Sequence, residues 1–438
     1  MELILQSNRE NMTARIQKAI DSCFLSGGGT ITLEKGLYVV GGLRLRSGCT
    51  LYLKRGAILK GTRSIEDYDI LKDDTIEPVN EEYKTDVLWT PPKNRTTNHH
   101  IVKAASAWNN ALIRILDAEN VAIIGEEGSV IDGSDPYDPK GEEYYRGPHG
   151  IAYHHSKNLH FEGYTIQNTG NWAHIGYRSQ NISYQNIEVL GGHDGIHNSS
   201  CDDFLIENCA FYTGDDCIAG FDNYNVKVRN CILNSACSGL RFGGRDVLVE
   251  DCHFFGPAKY FFRGSLSLQD KIDGNPCPKA GRTNMLSLFT YYSDFMLEVR
   301  KMPGNIVIKD CTVENCDRFL HFDFTGTHVW QTNKPLTGIS FENIKASGIS
   351  MPFNAYGDSE NPLTLILKNC DIAFSEACDC AIRGGNFALV EAENVVFQGV
   401  RGALVKCYGE IGKIKADNVV GVERLYDLTD EAFSSRSI

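Results

Sequence analysis

The stretch NISYQNIEV at 181–189, set beside DFLIENCAFY at 203–212, NVKVRNCILN at 225–234 and DVLVEDCHFF at 246–255, repeats one pattern: alternating apolar residues, then Asn or Asp, then Cys or an aliphatic. Asn186, Asn208, Asn230 and Asp251 recur at spacings of 22, 22 and 21 residues, the signature of stacked coils and not of a globular α/β unit. The pattern continues through NIVIKDCTVE, GISFENIKAS, LTLILKNCDI and FALVEAENVVF, at spacings of 59, 33, 26 and 25 up to Asn394, and the wider intervals mark inserted loops. A coil of about 22 residues with two or three short strands and no helix-length amphipathic segment predicts a single-stranded right-handed parallel β-helix, an all-β solenoid.

In such a stack, equivalent residues on successive coils are vertical neighbours about 4.8 Å apart. The recurring Asn or Asp suits a tight bend, and stacked copies would form a ladder. Cys209, Cys231, Cys252, Cys311 and Cys370 form a column of small apolar residues in this reading; the alternative, metal ligation, lacks a CxxC pair or a histidine partner. The segment from Asn11 to Asp21 is the clearest helix, with Ile16, Ala19 and Ile20 on one face, and a cap over residues 10–30 would cover the open first coil. The rest reads as one β-helical domain over 1–438, with inserted loops at 72–110 and 256–305.

At 438 residues the chain has no Pro/Ser-rich linker, and its net charge of -13 argues against nucleic acid or an anionic membrane as partner. No basic segment followed by an apolar core opens the chain, and no apolar run reaches membrane length. Fifteen cysteines in apolar strand patterns fit reduced, buried thiols, so a cytoplasmic location is expected and the Asn11, Asn94, Asn181 and Asn198 sequons are taken as coincidental.

Chemistry concentrates in Gly192-His193-Asp194-Gly195-Ile196-His197 and in Gly214-Asp215-Asp216-Cys217, with Asp215 21 residues after Asp194. Asp and Gly are poor strand formers, so their place among Val/Ile/Phe-rich strands calls for a bulge or a function. Carboxylates clustered on neighbouring coils are what acid/base cleavage of a glycosidic bond requires; calcium ligation or simple turns are the alternatives.

With IQKAIDSC, GGGTITLEKGLYVVGGLRLRSGCTLYLKRGAIL, Val130-Ile131-Asp132-Gly133 and Asn168 to His174 before these motifs, the chain resembles glycoside hydrolase family 28, the polygalacturonase-like enzymes, over most of residues 10–400. The family's Asn-Thr-Asp-Gly falls on Gly192 to Gly195 and its Asp-Asp on Asp215-Asp216. The resemblance implies an inverting hydrolase, with Asp215 as acid and Asp194 and Asp216 orienting and deprotonating the water. Where the family has Gly-His-Gly this chain has Cys237-Ser238-Gly239, and its Arg-Ile-Lys is matched best by Phe261-Phe262-Arg263. Both departures touch the expected sugar pocket.

The expected activity is exo-acting hydrolysis of an oligosaccharide, uronic-acid-containing and pectin-like, with no cofactor and no metal. Substrate contacts are expected from His193, His197, Ser238, Arg241, Arg263, Trp172 and His174, with Arg245, Tyr291 and Tyr292 as further candidates and His154-His155 read as non-catalytic. Two other classes stay open: a polysaccharide lyase on the same fold, needing a Lys or Arg base, and a non-catalytic glycan-binding solenoid.

Overall fold

The computed structural model describes residues 1–8, 10–68, 76–77, 110–274, 281–292, 299–322 and 334–429. It gathers into two compact units, Met1–Gly214 with Tyr260–Gly281, and Asp215–Lys259 with Arg282–Ile438. The expected insertion at 72–110 lies outside the described residues except for 76, 77 and 110.

In the first unit three columns of parallel strands climb coil by coil. One runs through Gly29–Leu33, Cys49–Leu53, Glu119–Gly125, Lys157–Glu162, Gln180–Gln185 and Asp202–Glu207. A second runs through Gly36–Val40, Ala57–Gly61, Val130–Asp132, Thr165–Gln167, Glu188–Gly191 and Ala210–Thr213. The third joins Leu43–Leu45, Ala111–Leu116, His149–His154, His174–Tyr177 and Ile196–Ser199. Register places like on like: Val121, Leu159, Ile182 and Phe204 stack as successive partners, all buried. Each such side chain contributes roughly 1.5–3 kcal/mol by leaving water.

The first unit's first coil is covered as expected. The helix Thr13–Leu25 buries Ile16, Ala19, Ile20 and Cys23, and Asn11 Oδ1 accepts the Thr13 N–H at 3.0 Å to start it. This hides backbone groups that an open sheet end would present to solvent.

The second unit is built the same way, with strands that turn corners without a break. Val226, Val247, Ile306, Ile339, Leu365 and Val390 are successive register partners along one column. The bends carry the expected ladder: Asp310, Asn343, Asn369, Asn394 and Asn418 all sit at positive φ, and each asparagine amide donates to the side-chain oxygen one coil earlier, at 2.8, 3.0, 3.2 and 2.9 Å. Asn and Asp tolerate this left-handed backbone because a short polar side chain bonds locally. Where a cysteine follows the bend, as at Cys231, Cys252, Cys311 and Cys370, it is buried and donates from Sγ to the carbonyl two residues earlier.

The segment 256–305 is only partly a loop. It holds a short helix, Leu268–Asp273, and then a full rung member, Met285–Tyr291, paired with Ser238–Glu250 and Thr312–Phe322. That strand lacks the Asn/Asp-Cys bend, so its membership of the repeat left no mark in the periodic pattern.

Candidate active site

Asp215 and Asp216 stand at the bend that opens the second unit, just before the strand Ile218–Arg229. Asp216 is buried, and its Oδ1 accepts the Ser238 N–H at 2.9 Å, while Asp215 Oδ1 accepts the Asp216 N–H at 3.2 Å. One oxygen of each carboxyl and the Cys237 sulfur lie within 4.8 Å of one another. Burial, and then the neighbouring Asp215 carboxylate, push the Asp216 carboxyl up to about 7, against the opposing pull of Arg241 and Ser238. The Asp216 carboxyl keeps its proton more readily in this setting, because ionising it would set two charges side by side.

The loop beneath the pair is tied down. Ser235 Oγ donates to the Asp215 carbonyl at 2.7 Å and accepts the Cys237 N–H at 2.8 Å. Arg282 donates to the Ala236 carbonyl at 2.6 Å and to Cys237 Sγ at 3.0 Å. The Cys237 thiol is held well above its ordinary value by burial, Asp215 and Asp216.

Asp194, in the first unit, has a different setting. Its Oδ2 bonds His197 Nδ1 at 2.9 Å, and the His197 ring lies flat on Trp172, with centroids 3.8 Å apart and planes at 7°. His193 Nδ1 accepts from Arg146 at 2.9 Å, which puts the proton on Nε2, and burial with the nearby Arg146 and Arg263 keeps the ring neutral. Arg263 pairs with Asp135 at 2.8 Å, its stem lies so close to Gly192 that a Cβ there would sit 2.4 Å from Cδ, and burial raises Asp135 to about 6. Lys271, on the short helix of the same excursion, lies 4.3 Å over the Tyr145 ring. A polar cleft of about 440 Å³ in this unit is lined by Lys60, Arg63, Asp132, Ser134, Asp135 and Asn168.

Several expected substrate contacts take other roles. His174 is a core residue: its Nε2 meets the Tyr164 hydroxyl at 2.9 Å, its ring packs among Phe161, Tyr164 and Tyr184, and burial lowers it to about 4. Trp172 is 4% exposed and gives its face to His197, so it is not an open sugar wall. Ser238 is buried and meets Thr290 Oγ1 at 3.1 Å, and Arg263 is buried against Asp135. Arg263 lies in a one-turn excursion, not on a strand. Tyr291 donates to the Lys334 carbonyl at 2.7 Å from the interior, and Tyr292 lies under the Arg241 guanidinium at 4.0 Å. Arg245 donates to the Met302 carbonyl at 3.2 Å. His154, read as non-catalytic, is buried against Tyr177. Sequence reasoning missed Arg146, Asp135, Arg282 and Thr290, none of which belongs to a repeat motif.

Comparison with known proteins agrees with this picture. Residues 93–243 match the model of glycosyl hydrolases family 28. A probable polygalacturonase of Vitis vinifera is 26% identical over 211 residues, which cover 46% of this chain and 39% of the grape protein's length. This chain therefore spans about two fifths of that relative. Among solved structures, an exopolygalacturonase from Thermotoga maritima superposes with a TM-score of 0.61 at 18% identity, covering 91% of this chain and 92% of that one. The family 28 exopolygalacturonase of Yersinia enterocolitica gives 0.62 at 15% identity, covering 97% and 79%. The fold is the right-handed parallel β-helix.

Proposed function

We propose that this chain is a divergent member of glycosyl hydrolase family 28 and a glycoside hydrolase that cleaves uronic-acid-containing, pectin-like oligosaccharides with inversion, from a chain end, in the cytosol. The observation that carries the reading is the Asp215–Asp216 pair, in which burial and the neighbouring carboxylate raise the buried Asp216 to about 7. An acid ready to protonate a glycosidic oxygen at neutral pH needs that setting. Asp216 stores the proton and Asp215, the more accessible carboxyl, presents it to the leaving oxygen.

For the water, the family resemblance points to Asp194 and Asp216, and within the first unit His197 Nδ1 lies 2.9 Å from Asp194 Oδ2. For the anionic sugar, support comes from Lys271, which lies over the Tyr145 ring on the same excursion as Arg263, while Arg146 and Arg263 are paired with Glu143 and Asp135. Exo action is supported by the excursion Tyr260–Gly281, which is fastened across the motif glycines by Arg263 on Asp135 and by Arg63 on the Ile272 carbonyl at 2.7 Å. The cysteines of the described residues, all free and buried, suit a reducing compartment.

The test is a panel of uronic and neutral oligosaccharides incubated with wild type, Asp215→Asn and Asp216→Asn, with products followed by anomer-resolved NMR. Release of inverted monomer or dimer by wild type alone is expected. Unsaturated, ultraviolet-absorbing product would replace the hydrolase with a lyase, and unaltered glycans from every sample would leave a binding solenoid.

A further inference from the structure

Behind Asp216 runs a line of buried hydroxyls that no part of the reaction scheme uses. Ser238 gives its backbone N–H to Asp216 Oδ1 at 2.9 Å, and its side chain also bonds that carboxyl. Ser238 Oγ then meets Thr290 Oγ1 at 3.1 Å, and Thr290 Oγ1 meets Ser287 Oγ at 2.6 Å. All three are buried, and they come from two strands paired in register, Ser238 being the partner of Ser287. Nothing in the repeat pattern demands three hydroxyls here, where buried apolar side chains would serve the core.

We propose that Ser238, Thr290 and Ser287 form a hydroxyl relay that orients and steadies the Asp216 carboxylate, in the place where related enzymes carry a histidine. Ser238 and Thr290 are positioning residues, acting through Asp216 and not on the sugar. The inference rests on the reading of Asp216 as part of the acid pair. Each hydroxyl both donates and accepts, so the three can point in series toward an ionised carboxylate, and each bond in the series polarises the next. The other groups that act on Asp216 are fixed around this line. Asp215 raises its proton affinity, Arg241 on Tyr292 lowers it, and the protonated Cys237 thiol backed by Arg282 stands beside it.

Hydrogen bonds to the charged form lower a carboxyl's pKa, so removing the relay raises it. Ser238→Ala is expected to move the Asp216 titration up by about one pH unit and Thr290→Val by about half that. Thr290→Ser, which keeps the hydroxyl, is expected to restore the wild-type value. Two readouts separate the relay from the functional reading. The carbonyl stretch of the protonated carboxyl in pH-difference infrared spectra, assigned with Asp216→Asn, reports the titration whether or not any sugar is cleaved. The pH profile of kcat on the cleaved oligosaccharide reports the same shift in turnover, with KM little changed.

An infrared shift without turnover by wild type keeps the relay and removes the hydrolase. Turnover by wild type with identical titrations in wild type, Thr290→Val and Ser238→Ala removes the relay and keeps the hydrolase. Thr290→Val and Thr290→Ser behaving alike would also overturn it, since a purely steric role would not distinguish the hydroxyl. Circular dichroism and melting of each variant identify any that fails to fold, and Ser287→Ala, at the far end of the line, then supplies the second probe.

Discussion

Asp194 in the first unit and Asp216 in the second are both nearly fully buried carboxyls beside a strand start, yet their surroundings differ in kind. Asp194 has an imidazole at 2.9 Å, itself pressed flat on an indole, whereas Asp216 has another carboxyl as its neighbour. A basic partner favours the charged form and a like charge favours the proton. The two settings suit the base and acid proposed for these residues.

The comparison breaks most visibly in turnover. Asp215→Asn or Asp216→Asn is expected to lower kcat by about a thousandfold or more, read as product release from the cleaved oligosaccharide, because each removes a carboxyl of the proposed acid pair. On the other side, His197→Ala frees Asp194 from its partner and is expected to cost about a hundredfold in kcat, with Asp194→Asn falling at least as far. Equal activity of His197→Ala and wild type would remove the imidazole from the scheme.

Stability sharpens the same contrast. Asp216 binds its proton more tightly folded, up to about 7, than in an unfolded chain, where a carboxyl titrates near 4. Between those values the unfolded chain gives up the proton first, so stability falls as pH rises through that window. Asp216→Asn is expected to be on the order of 2–3 kcal/mol more stable than wild type at pH 8 in urea titrations, with the advantage gone below about pH 4.

The smallest effect tests the scaffold that both sites share. Asn369 sits at φ 52 and links Asn343 to Asn394 in the ladder. Asn369→Ala forces an L side chain into the left-handed region and cuts two amide bonds, an expected loss of about 1–2 kcal/mol, with kcat unchanged. Asn369→Gly keeps the backbone relaxed and is expected to cost less, which a pair of melting curves resolves.

Much of this was legible in the chain. The 22-residue recurrence of Asn186, Asn208 and Asn230 fixes both the coil and its bend, since few residues other than Asn, Asp or Gly accept that backbone. The cysteine column and the capping helix follow from the same alternation. The strand Met285–Tyr291 stayed hidden inside the widest interval because it has no bend signature. Among site residues, the aspartates showed themselves by being out of place in apolar strands. His174 and His197 looked alike, and only the structure sends one inward to Tyr164 and the other to Asp194. Side chains alternate between faces along a strand, so a shift of one residue in register exchanges core and surface.

The sequence by itself determined a stack of parallel coils and the positions of its acidic bends, because periodicity and backbone tolerance are local properties. Only the tertiary structure decided which groups meet those acids. Ser238 and Thr290 touch across 52 residues, Arg146 reaches His193 across 47, and Arg263 finds Asp135 from a separate excursion. Proton affinity depends on neighbours within a few ångströms, and in a solenoid those neighbours come from other coils and from the excursions between them.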